Sequence, residues 1–257
     1  MRWLFGMQVL FCAWLAHAGE APAIAAAADL KYALAEAAQA FEKDSGRAVR
    51  VSFGSSGNFT QQIEQGAPFE LFLSADEAYV QRLAEKGLTV DRGTLYAVGR
   101  IVLFVPQGSP LQPDASLADL RAALSDGRLK RFAIANPEHA PYGRAARAVL
   151  RQAGLWDALQ PRLVLGENAA QATQFAAAGS SQGGIVPLSL SRAPEVAKLG
   201  RFALLPAEWH AGEPLRQRMV LTRKAGDTAR AFYAWLQQPA ARAILERHGF
   251  ALPAGER

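Results

Sequence analysis

Cysteine is nearly missing from this chain. Its 257 residues hold one, Cys12, inside the first apolar stretch, so the remainder has no disulfide, no thiol nucleophile and no cysteine metal site. Histidine is scarce as well. His17, His139, His210 and His248 are scattered without metal-ligand spacing, and no Gly-x-Ser-x-Gly nucleophile elbow is read. These absences point away from an enzyme. No apolar run reaches the roughly 20 residues of a membrane span. Runs of like charge, low-complexity tracts and fixed-period repeats are also lacking, which favours a compact globule along the whole length.

Half of the residues are hydrophobic, enough to bury one large core or two smaller ones. Arg2 followed by the apolar residues 3–15 and by Ala16-His17-Ala18 reads as a signal peptide over residues 1–18, with small residues at the cleavage site. Phe11 is too large for the position before a lipidated cysteine. The expected location is therefore the periplasm, where a cysteine-free chain with a large core is stable without staples. The formal charge of +5 falls to +4 when Arg2 leaves, and the isoelectric point is about 9.6. Basic and acidic residues alternate, as in Phe41-Glu42-Lys43-Asp44. No aromatic-interleaved basic patch is present, so nucleic acid is not an expected partner.

Strand and helix patterns alternate. Strands are predicted at 23–28, 49–53, 69–73, 100–105, 132–135, 163–165, 184–187, 202–205 and 218–222. Leu30, Ala33, Leu34, Ala37, Ala38 and Phe41 have helical spacing, predicting a helix over 30–43. Further helices are predicted at 58–65 (capped by Asn58), from 77 to about 86, and at 117–124, 142–153, 169–178, 228–237 and 240–248. This order implies an α/β fold with mostly parallel sheets, whose helices begin at the ligand-binding edge.

Four strand-to-helix junctions share one chemistry: Ala27-Ala28-Asp29-Leu30, Gly54-Ser55-Ser56-Gly57-Asn58, residues 136–143, and Glu167-Asn168-Ala169-Ala170. Small residues there let backbone N–H groups approach a ligand closely. Each helix start has N–H groups without internal partners and about half a positive charge from the dipole, so several converging starts form an anion site without Lys or Arg. Ser55 and Ser56 add hydroxyl donors and Tyr142 a phenol. Arg144 and Arg147 are expected on the solvated face of their helix. His248 is expected to interact with the end of the last helix.

The segment from Gly66-Ala67-Pro68 through Phe69-Glu70-Leu71-Phe72-Leu73 to Ser74-Ala75-Asp76 resembles a signature of the periplasmic molybdate-binding proteins of bacterial ABC importers. Gly54-Ser55-Ser56-Gly57 resembles that family's anion loop. Asn136-Pro137-Glu138-His139-Ala140-Pro141-Tyr142-Gly143 resembles its Pro-Gly segment, and Gly183-Gly184-Ile185-Val186 a later strand. The resemblance implies a type II solute-binding protein, with residues 19–101 and 207–257 in one lobe, 102–206 in the other, and a hinge and cleft between them. It implies no cofactor, a monomer, and a tetrahedral oxyanion, molybdate or tungstate, delivered to a membrane permease. Carried over by position, Ala28, Asp29, Ser55, Ser56, Tyr142 and Ala169 would surround the ligand. A second branch of the family places a Tyr just after the Gly-Ile-Val strand; Pro187 stands there in this chain.

Asp29 departs from the family, which has Ser, Thr or Asn at this position. At about 4 Å from a dianion and an effective dielectric near 20, an ionised carboxylate is repelled by on the order of 8 kcal/mol. Three readings follow. Asp29 caps its own helix and offers only its N–H; it is protonated or shares a proton with the anion; or the ligand is another anion such as phosphate, sulfate or a small carboxylate. Lys31, two residues on, is a candidate to soften the field.

Overall fold

The computed structural model describes residues 20–253; the expected signal peptide lies outside them. The first lobe begins with β1 (Ala23–Ala27), α1 (Lys31–Ser45), β2 (Arg50–Gly54), α2 (Ser56–Glu64), β3 (Leu71–Ser74), α3 (Glu77–Glu85) and β4 (Thr94–Val98). The chain then crosses to β5 (Ile101–Pro106), α4 (Ala118–Ser125), β6 (Phe132–Ala135), α5 (Pro141–Gln152), α6 (Trp156–Leu159), β7 (Leu163–Gly166) and α7 (Ala169–Ala177). The second lobe ends with β8 (Gly184–Pro187), α8 (Leu188–Ser191), α9 (Pro194–Ala197) and β9 (Gly200–Leu204). The chain returns through β10 (Arg216–Leu221) and closes with α10 (Asp227–Trp235) and α11 (Pro239–Arg247).

Two five-stranded sheets result, ordered β2-β1-β3-β10-β4 and β7-β6-β8-β5-β9. Each is mixed. β2-β1-β3 and β7-β6-β8 pair in parallel, whereas β10 and β5 run antiparallel to both of their neighbours. In each sheet four of the five strands therefore share one direction, in line with the mostly parallel expectation, and the one exception has a topological reason. β5 and β10 are the strands on which the chain arrives from the opposite lobe, so neither follows a βα crossover of its own sheet. β4, absent from the predicted elements, is the strand that leaves for the second lobe, and Gly99-Arg100 is all that separates it from β5.

The inner strands β3, β5, β6 and β8 are buried along their whole length. Their near-continuous apolar runs suit a sheet covered on both faces. Phe41, Phe72 and Phe232 pack on the first sheet, and Leu103, Phe104 and Phe132 lie in the second. The helices α1, α2, α5 and α7 start just beyond the C-terminal ends of β1, β2, β6 and β7, which brings their N-termini together where the lobes meet.

Gly143 sets how closely α5 seats on β6. A Cβ there would collide with the Ala135 carbonyl oxygen and lie 2.8 Å from the Asn136 carbonyl carbon, both backbone atoms that cannot move aside. Gly143→Ala is therefore expected to lower unfolding stability by about 1–3 kcal/mol in urea denaturation. Unchanged stability would show that α5 is not held by this contact.

Candidate functional site

All six residues singled out from the sequence line one cavity. Ala28, Asp29, Ser55 and Ser56 come from the first lobe and Tyr142 and Ala169 from the second, with Gly54, Ala75 and Pro141 completing the wall. The enclosed space is small. A larger groove of about 470 Å3 runs beside it, lined by Tyr32, Phe53, Gln171 and Val196 among others. That groove is open to solvent.

The helix starts are capped in a way that leaves donors uncommitted. Ser55, not Asn58, caps α2: its Oγ accepts the Asn58 N–H at 3.3 Å, and the Gly57 N–H donates to the His139 carbonyl at 3.0 Å. The helix begins two residues earlier than expected, because Ser56 and Gly57 take helical geometry. The Ser56 N–H remains an orphan donor of the first turn. Asn168 caps α7 by accepting the Ala170 and Gln171 N–H groups, which leaves Ala169. In α5, Pro141 has no N–H and Gly143 donates to the Ala140 carbonyl, which leaves Tyr142. The Ser56 hydroxyl oxygen accepts the Ala75 N–H at 3.0 Å, and no acceptor among the described residues takes its proton.

Asp29 does not cap its helix. Its Oδ2 accepts the Tyr142 phenol at 2.9 Å and the Gln217 amide at 2.6 Å, while Oδ1 is buried without a hydrogen-bond partner. Gln217 also donates to the Tyr142 oxygen at 3.1 Å and accepts the Tyr96 phenol at 2.7 Å. Ser189, at the start of α8, donates to the Asp29 carbonyl at 2.9 Å. Lys31 is exposed and lies over the Tyr32 ring, so it takes no part. Burial raises Asp29 to about 6, partly offset by the hydrogen bonds from Gln217 and Tyr142. Burial and the neighbouring carboxylate push the Tyr142 phenol well above its ordinary value. Because the folded Asp29 holds its proton more tightly than the ordinary value of 3.8, ionising it costs stability. The cost is absent below about pH 3.8, grows as pH rises, and reaches about 3 kcal/mol above pH 6.

Further contacts span the lobes. Arg144 is not on a solvated face. It donates to Asp76, to Glu213 at 2.9 Å and to the Tyr79 phenol at 3.0 Å, and its guanidinium lies over the Tyr79 ring. Arg147 keeps to the surface, 3.5 Å from Glu138. His139 reaches Ser55 Oγ with Nδ1 at 3.1 Å and Glu167 with Nε2 at 3.3 Å. His248 ends α11 as expected, but its partner is Glu36 at 2.9 Å. Gln217, Tyr96, Ser189 and His139 were not among the candidates. None of them carried a clear signal: Gln217 stands between Arg216 and Arg218 at the polar start of β10.

The Gly-x-Ser-x-Gly spacing does occur, at Gly179-Ser180-Ser181-Gln182-Gly183. It lies between a helix and a strand, the reverse of a nucleophile elbow, and Ser181 is buried with its hydroxyl on the Gly183 carbonyl at 2.9 Å. Among the described residues, no group of three or more His, Cys, Asp or Glu side chains could hold a metal ion.

Comparison with known proteins agrees with this geometry. Residues 23–251 match the family described as bacterial extracellular solute-binding protein. The molybdate-binding protein ModA of Azotobacter vinelandii is 38% identical over 255 residues, 96% of this chain and 95% of the relative. Its counterpart in Rhodobacter capsulatus is 35% identical over 238 residues, 91% and 89% of the two chains. The solved structure of the Azotobacter vinelandii periplasmic molybdate-binding protein superposes with a TM-score of 0.79 at 32% identity, covering 90% of this chain and 99% of that one. These relatives are binding proteins, not enzymes, and bind their solute without a cofactor. The chain belongs to the bacterial extracellular solute-binding proteins and, among them, to the ModA family.

Proposed function

We propose that this protein captures a tetrahedral oxyanion, molybdate and also tungstate, in the cavity between its lobes and hands it to the permease of an ABC importer. The observation that carries the reading is the convergence of uncommitted donors, the N–H groups of Ser56, Tyr142 and Ala169 and the Ser56 hydroxyl, on one small cavity lined from both lobes. Helix dipoles supply the positive potential, so a dianion is held without a cation. The names of the two relatives at 38% and 35% identity support molybdate. In this reading residues 1–18 direct secretion to the periplasm, the protein works as a monomer, and residues 102–206 close against 19–101 and 207–257. Closure excludes water and strengthens each hydrogen bond; the closed shape is what the permease would meet. A second reading, a protonated anion such as hydrogen phosphate, is favoured by the buried Asp29 carboxylate, which accepts hydrogen bonds when ionised.

Calorimetric titration with molybdate, tungstate, sulfate and phosphate near pH 7 separates these. Molybdate and tungstate are expected to bind micromolar or tighter, with sulfate and phosphate at least about a hundredfold weaker; a response to phosphate with none to molybdate would install the second reading. Ser56→Ala is expected to weaken molybdate binding about 10- to 100-fold, the range of a hydrogen bond to a charged group. Gly57→Ala tests closure, because its Cβ would lie 2.7 Å from the His139 carbonyl oxygen of the other lobe. The variant should bind at least about tenfold more weakly and remain more open by small-angle scattering in molybdate. An unchanged affinity and shape would show that this approach of the lobes is not needed.

A further inference from the structure

Asp29 stands where the cavity calls for a donor, and its two oxygens are not equivalent. Oδ2 accepts both Tyr142 and Gln217, whereas Oδ1 is buried and without a partner. The Tyr142 oxygen accepts from Gln217, so its single proton goes to Asp29 and not to the cavity. With Asp29 ionised, neither side chain would offer the anion a donor, and two negative groups would share one dry space. A proton on Oδ1 changes both facts at once: the orphan atom becomes a donor and the charge disappears.

The groups around Asp29 leave no other route to neutrality. Tyr142 reaches it from α5, Gln217 from β10, Tyr96 from β4 by way of Gln217, and Ser189 from α8 through the backbone. Ser55 and Ser56 line the same cavity from the start of α2. Arg144 is committed to Asp76 and Glu213, Lys31 is exposed, and His139 pairs with Ser55 and Glu167. No cation among the described residues forms a salt bridge with Asp29.

We propose that Asp29 binds the oxyanion as a protonated acid, donating from Oδ1, so that capture of each anion takes up one proton. This rests on the oxyanion reading above. It makes Asp29 a specificity residue. With Oδ2 already accepting two hydrogen bonds, the acid presents only a donor, which favours a fully deprotonated oxyanion over one that must donate a proton of its own. Burial has already moved Asp29 to about 6, and a bound dianion moves it higher. The direction follows. Below about pH 6 the free protein carries the proton and affinity is level. Above it, affinity falls about tenfold per pH unit while the complex stays protonated.

Calorimetry with sodium molybdate from pH 6.5 to 8.5, in Tris and in HEPES, counts protons through the two ionisation enthalpies. The expected result is uptake of close to one proton per anion at pH 8 and a loss of about 50- to 100-fold in affinity across the range. Asp29→Asn, whose amide donates an N–H without taking up a proton, should bind with a level pH profile and more tightly than the natural protein at pH 8.5. If the variant fails to fold, the buffer pair still decides the question in the natural protein. Tight binding with no proton uptake and a level pH profile would overturn the proposal and leave the oxyanion reading standing. No binding of molybdate at any pH would overturn both.

Discussion

An anion taken from water into a closed cleft must find hydrogen-bond donors there, and the architecture is arranged around that requirement. A Lys or Arg would provide charge, but its long flexible stem orders at an entropic cost and needs room the cavity lacks. Backbone N–H groups at helix starts are already fixed in place and carry the dipole. They serve only if small residues flank them and if the caps stop short of the last donor. Ser55 and Asn168 do this: each satisfies deeper amides of its helix and leaves the first one, Ser56 or Ala169, facing the cavity. The parallel strands β1, β2, β6 and β7 bring these starts to one place, two from each lobe.

Direct contacts also join the lobes. Arg144 of α5 joins Asp76 and Tyr79 of the first lobe, Gly57 donates to His139, and Ser189 holds the Asp29 carbonyl. The closed shape therefore has stabilisation of its own. A ligand shifts an opening equilibrium only by its differential affinity for the two states, so these contacts reduce what the anion must contribute. Arg144 is the weightiest, because it is mostly buried, multiply bonded and stacked, unlike an exposed pair such as Arg50 with Glu20.

Local patterns were legible along the chain. The strand 132–135 and the strand 184–187 were read to the residue, and the six site residues share one wall of one cavity. Misreadings came from pairings distant in sequence. β4 alternates too briefly to stand out before its partner β10 is known, more than a hundred residues later. The antiparallel strands follow from where the chain changes lobe, which no periodicity records. Arg144 looked solvated because helical spacing knows nothing of the facing lobe. Asn58 looked like a cap because Ser, Asn and Gly all suit helix starts, and only the geometry of Ser55 settles the register.

Asp29 was the residue that broke the pattern, and its surroundings were not readable from its neighbours. A buried acid is costly unless its hydrogen-bonding capacity is met. Here Tyr142, Gln217 and Tyr96 form a network in which each polar group has a partner except one carboxylate oxygen. In a purely structural network, replacement by an apolar residue would remove that defect. Asp29 is instead one of the residues that line the cavity, and the Tyr and Gln that hold its other oxygen orient the carboxyl group. In the proposal, the oxygen that no protein group among the described residues satisfies is the part of the network that an incoming oxyanion completes.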